Sequence, residues 1–201
     1  MSTEDDVLAT IDEAGLAALG APGPEEALRS LVHRYVDILG DRQAESRPDA
    51  LKPGEQQYFV AGAFIVSPDQ RYHMLVGNYG FPADQRRLLV PVDAGNPGIV
   101  WKTKKPLLLE NTDQHGEFRQ YLKTSRMGSA IFAPMIWKGE FVGQIIMAAQ
   151  ARYTMRPVDL KGLIALSRLA AALWIAHGGP AWLAAEYPPA DGFYVGRDGL
   201  E

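Results

Sequence analysis

The chain has 201 residues, 47% of them hydrophobic, which is enough for one domain with a core that needs no disulfide or metal staple. A formal charge of -4 provides no basic field, so no nucleic-acid partner is expected. There is no cysteine, which excludes disulfides, thiolate metal sites, thiol nucleophiles and thioether-linked chromophores.

The N-terminus, Ser2-Thr3-Glu4-Asp5-Asp6, has the wrong charge for a secretory leader. The most apolar stretch, Leu163 to Ala176, is interrupted by Ser167 and Arg168 and is too short to span a bilayer, so a cytoplasmic location without a membrane partner is expected. Residues 3–19 read as a helix capped by Ser2 or Thr3, with acidic residues at its positive end. Pro24, Glu25 and Glu26 open a clearer helix, in which Leu28, Leu31, Val32, Tyr35, Val36 and Leu39 share one face and Gly40 is the stop. Residues 41–57 have no period and form a loop.

Strand patterns follow. Tyr58 to Val66 and Arg71 to Tyr79 make a hairpin across Ser67-Pro68-Asp69-Gln70, with Tyr72, Met74 and Val76 on one side of the second strand. Leu88 to Val92 is a third strand, and Asn96-Pro97-Gly98 starts a short helix carrying Ile99, Val100 and Trp101. After strand 107–109, the polar stretch from Glu110 to Gly128 predicts a brief helix around Phe118, Tyr121 and Leu122. Ala130 to Trp137 and Glu140 to Gln150 form a second hairpin across Lys138-Gly139, so the sheet is mostly antiparallel. Pro157 opens a last helix whose polar edge, near Lys161 and Arg168, is so narrow that it needs cover on two sides. The residues from Gly178 onward have no period and read as a disordered tail or a strap.

This order of elements resembles the GAF fold, and local wording supports the likeness: Gly98 to Lys105 as a glycine-led helix, the step through Pro106 to a strand ending near Asn111, then Ser129, Pro134 with Met135, Gly139 and Gly143. The resemblance covers roughly residues 24–176. It implies an α+β domain, GAF-like (profilin-like and PAS-like), whose central sheet carries the terminal helices on one face and short helices and loops on the other. It divides the chain into an N-terminal helical extension (1–23), a GAF-like domain (24–177) and a C-terminal tail (178–201). Family members that bind cyclic nucleotides carry an Asn-Lys-Phe-Asp-Glu style motif, which this chain lacks. The bilin-linked and methionine-sulfoxide-reducing members need cysteines, which it also lacks.

His33, His73, His115 and His177 are scattered without metal-ligand spacing, so no metal is expected. His115, beside Asn111 and Asp113, reads as a solvated loop histidine or a ligand contact. Lys102, Lys104 and Lys105 complement the helix C-terminus or form an anion site, and the aromatic residues are core or pocket lining. No nucleophile elbow, phosphate loop or dinucleotide fingerprint is present, and no cofactor is expected. A non-enzymatic sensor follows: a small molecule binds between the sheet and residues 93–128 and acts through a homodimer or a partner signalling protein. The expected ligand contacts are Tyr79, Trp101, Asn111, His115, Tyr121 and Ser129, because an irregular segment inside a compact domain is commonly functional. A scaffold without ligand is the alternative. An enzyme is the third reading.

Overall fold

The computed structural model describes residues 4–123 and 125–199. Helix α1 (Glu4–Leu19) leads into α2 (Pro24–Val36), where Pro24 occupies the first turn and Glu25 and Glu26 face the dipole. The cap expected from Ser2 or Thr3 lies outside the described residues. Helix α2 is amphipathic as its spacing predicts, with Leu28, Leu31 and Tyr35 buried. Removing a side chain of this size from water stabilises by about 1.5–3 kcal/mol. The chain between α2 and the first strand is a loop, as expected, with a 3-10 turn at Ala44–Ser46.

The strands are β1 (Phe59–Val66), β2 (Tyr72–Tyr79), β3 (Arg87–Pro91), β4 (Leu107–Leu109), β5 (Ser129–Trp137), β6 (Glu140–Ala149) and β7 (Gly192–Tyr194). They form one sheet in the order β4-β5-β6-β1-β2-β3-β7. Every pairing is antiparallel except β3 with β7. The β5–β6 hairpin turns through Lys138 and Gly139, both at positive φ (49° and 85°), which is the two-residue turn matched to strand twist.

The helix after β3, α3 (Gly95–Thr103), lies over β5 and β6, while α4 (Pro157–Ala176) packs with α1 and α2 on the opposite face. Side chains alternate accordingly. Ala61, Ala63 and Ile65 of β1, Met74 and Val76 of β2, and Ile145 and Met147 of β6 join the helices in the larger core. The second cover that α4 requires comes from α1, α2 and α5 (Gly179–Glu186), where Trp182 meets Trp174 edge to face at 6.0 Å. Among the described residues, no helix is long and apolar enough to cross a membrane.

Two local expectations change. No helix forms around Phe118, Tyr121 and Leu122; a 3-10 turn at Thr112–Gln114 precedes an irregular chain over these residues. Its backbone groups find partners outside a helical ladder: the Gln85 side chain donates from Nε2 to the Tyr121 carbonyl at 2.7 Å and accepts from the Lys123 N–H at 2.9 Å. The aperiodic C-terminal residues form α5 and β7, and Val195 N–H continues from β7 onto the Leu89 carbonyl at 3.1 Å.

Candidate functional site

The alternation that sends Met74 and Val76 to the helices sends His73 and Leu75 to the other face of the sheet. That face is also apolar. Val60 and Phe64 of β1, Leu88 and Val90 of β3, Phe132 of β5 and Ile146 of β6 make its floor. The roof is the first turn of α3 at Asn96 and Pro97, the irregular chain from Phe118 to Leu122, and Met127. Floor and roof do not meet everywhere, and a cavity of about 80 Å³ remains between them.

Three polar side chains on this cavity have an atom with no hydrogen-bond partner: His73 Nδ1, Asn96 Nδ2 and the Tyr121 hydroxyl. His73 is fully buried, and its Nε2–H donates to the Val92 carbonyl at 3.0 Å. Gln144 Nε2 lies 3.3 Å from the same ring nitrogen and donates to the Pro97 carbonyl at 3.2 Å. The bond to Val92 assigns the proton to Nε2 and leaves Nδ1 as a free acceptor. Burial pushes the His73 pKa down to about 4, so the ring is neutral at ordinary pH. Burial likewise pushes the Tyr121 phenol up to about 12.

Gly95 lets Tyr121 reach this point. It has φ +51°, and a Cβ there would stand 2.8 Å from the Tyr121 hydroxyl oxygen. A buried polar group without a partner costs about 1–3 kcal/mol. Three such groups lie around one small cavity.

The roof is latched at its far end by Asp113, whose Oδ2 accepts from Lys52 Nζ at 2.8 Å and from Arg152 Nε at 3.1 Å. Arg126 Nε reaches the other oxygen at 3.2 Å. Arg152 is itself buried and also pairs with Glu55. These cations hold the Asp113 carboxyl down to about 2, with the Lys52 hydrogen bond the largest cause. Toward the C-terminus, Val195 packs into the cluster of Phe64, Leu88, Val90 and Ala94, and Arg197 pairs with Asp93 at 2.8 Å.

Of the residues expected to contact a ligand, Tyr121 lines the cavity and the other five stand elsewhere. Tyr79 packs edge to face on His33 at 5.2 Å, in a surface groove between α2 and β2. Trp101, on the outer part of α3, borders a surface hollow with Lys102, Lys104 and Phe141. Asn111 caps the 3-10 turn by accepting from Asp113 N–H at 3.0 Å and donates to the Tyr153 hydroxyl at 3.2 Å. His115 ends that turn and is exposed. Ser129 is buried as a structural tie, donating to the Leu109 carbonyl at 3.1 Å and accepting from Met155 N–H at 3.0 Å. His73 and Asn96 were not expected. A histidine out of phase with the apolar side of its strand, and an asparagine inside a helix-start signal, were the traces they left in the sequence.

No protein-family model matches the chain, and no curated protein sequence is similar to it. Solved structures do resemble it. The GAF domain of a phosphoenolpyruvate-protein phosphotransferase from Coxiella burnetii superposes with a TM-score of 0.71 at 19% identity, covering 90% of this chain and 99% of that one. The corresponding GAF domain from Acinetobacter gives 0.68 at 15% identity, over 90% and 97% of the two chains. The free methionine-R-sulfoxide reductase of Neisseria meningitidis, in complex with its substrate, gives 0.67 at 13% identity over 90% and 95%. This last likeness corrects the expectation that the protein is not an enzyme. That expectation rested on the absence of catalytic motifs, and a fold that carries reductases as well as other GAF domains does not support it. At these identities the likeness is one of architecture, and the chain has the GAF-domain fold.

Proposed function

We propose that the domain is a small-molecule sensor whose ligand occupies the cavity between the sheet and the 93–128 segment. The observation that carries this reading is the set of unpaired polar groups of His73, Asn96 and Tyr121 on one largely apolar cavity. A scaffold that has lost its ligand predicts a cavity filled by side chains, and the open volume favours the sensor. Binding would order the roof, which is joined to the body by side-chain bonds, and so alter surfaces beyond it. Native mass spectrometry of freshly purified protein tests this: an added mass that is released on denaturation is expected. Bare protein that shows no thermal shift across a metabolite screen would overturn it.

The signal would pass through a homodimer. Leu8, Leu16 and Leu19 are exposed on α1, an apolar face that a second copy would cover by two-fold pairing. Light scattering of the wild type should give twice the mass of Leu16→Glu. A 22.0 kDa species unaffected by dilution would remove the dimer.

A second reading, catalysis in the same cavity, is favoured by the likeness to free methionine-R-sulfoxide reductases. With no cysteine in the chain, such chemistry would have to use other side chains or a bound reductant. Turnover of free methionine-R-sulfoxide with a dithiol reductant would establish it.

A further inference from the structure

We infer that the cavity takes a small uncharged molecule with an apolar body and both a hydrogen-bond donor and an acceptor at one end, a carboxamide being the simplest example. The inference rests on reading the cavity as a ligand site and adds the chemistry of what enters it. The polar groups without partners gather at the first turn of α3. His73 is tied to Val92 just before that turn, Gln144 beside the same histidine donates to the Pro97 carbonyl within it, and the Tyr121 hydroxyl lies against Gly95. Asn96 stands between Gly95 and Pro97.

The atom types decide the complement. His73 Nδ1 can only accept, so the ligand must bring an N–H or O–H. Asn96 Nδ2 can only donate, so the ligand must also bring an acceptor. The positive end of α3 favours that acceptor, and Pro97, which lacks an N–H, contributes one donor fewer to the turn. The Tyr121 hydroxyl serves either atom.

Ionised ligands fit less well. A carboxylate offers only lone pairs and would set them against the lone pair of His73 Nδ1. Protonating the histidine does not relieve this, because burial already opposes its charged form. Arg119 lines the cavity, but its guanidinium donates to the carbonyls of Gly116 and Phe118 in its own loop. An ammonium has no acceptor for Asn96 and would be desolvated beside Phe64 and Ile146. Size is the last constraint: about 80 Å³ is available. A dry cavity of ~150 Å³ accommodates the six heavy atoms of benzene, so the space as it stands takes roughly three, and a larger body such as that of isobutyramide enters as the roof lifts.

The test is an amide-resolved NMR titration of the full chain at neutral pH with isobutyramide, isobutyrate and isobutylamine, and with xenon as an apolar filler. Isobutyramide should shift the amides of His73, Asn96 and Tyr121 and saturate at a concentration at least about ten-fold lower than either ion. Asn96→Ala should remove most of that advantage, and Tyr121→Phe, which keeps the ring, should reduce it. If isobutyrate or isobutylamine binds the same amides as tightly as isobutyramide, the uncharged-ligand inference fails while the cavity remains a ligand site. If neither xenon nor any of the three molecules moves these amides, the ligand-site reading fails with it.

Discussion

His73 Nε2–H donates to the Val92 carbonyl at 3.0 Å, so a histidine near the start of β2 holds the turn that leads into α3. Protonation would put a second N–H on Nδ1, where no acceptor waits. The folded-state pKa lies at about 4 against 6.5 in an unfolded chain, so the unfolded state takes up the proton first as the pH falls. Stability from this residue is complete above about pH 6.5 and declines down to about pH 4, by about 3 kcal/mol in all. Urea denaturation of the wild type and His73→Gln between pH 7 and pH 4 should show the wild type losing that much more. Parallel pH curves would contradict the assignment. Isobutyramide binding, which needs the neutral ring, should stay constant from pH 8 to pH 5.

Gly95, at the start of α3, faces Tyr121 and Glu117 of the roof. Alanine there must hold φ +51°, at a cost of about 1–2 kcal/mol, and its methyl would collide with the Tyr121 hydroxyl. Gly95→Ala should therefore lower stability by at least that amount and displace Tyr121 from the cavity. A drop in melting temperature together with a weakened isobutyramide shift at Tyr121 checks it.

The sheet and the helices were legible because each has a period. Tyr72, Met74 and Val76 read directly as the core side of β2, and Leu28, Leu31 and Tyr35 as the core side of α2. The same alternation put His73 on the face that the resemblance covers with short helices and loops, but no pattern marked this histidine as a residue that the roof would bury. That roof is held by Gln85, far away in the chain, through bonds to Tyr121 and Lys123 that no local pattern announces. The polar character of 110–128 pointed to Asn111, His115 and Tyr121. Asn111 and His115 serve the 3-10 turn, and only Tyr121 of the named residues reaches the cavity. Asn96 went unread because Asn-Pro-Gly is already explained as a helix start.

Asp113 receives Lys52, Arg126 and Arg152, a three-cation latch between the roof and the body. Its carboxyl is held at about 2 against 3.8 unfolded, so its stabilisation is complete above about pH 4 and is lost as the pH falls toward 2. Asp113→Asn should flatten the acid denaturation curve in that window and leave the curve above pH 5 with its original slope. Arg152→Met removes the buried centre of the network and takes one cation from both Glu55 and Asp113, with an expected loss of about 3 kcal/mol. Equal midpoints for Arg152→Met and the wild type would show that the network is not a latch.

The C-terminal strap braces the same roof from the opposite side. Val195 is 7% exposed, packs among Phe64, Leu88 and Val90 beneath the roof, and bonds through its N–H to Leu89. Arg197, two residues on, pairs with Asp93 but is 71% exposed. The two contacts should therefore differ in strength. Val195→Ala opens a void at the cavity edge and should cost about 1–2 kcal/mol, whereas Arg197→Ala should stay within about 0.5 kcal/mol. Because Tyr121 borders the Val195 cluster, the loss should spread to the roof rather than stop at β7. Hydrogen exchange gives the local readout at the Lys123 amide, which is bonded to Gln85 at 2.9 Å. Its protection should fall in Val195→Ala and persist in Arg197→Ala; unchanged protection in Val195→Ala would mean that the strap closes the sheet edge without bracing the roof.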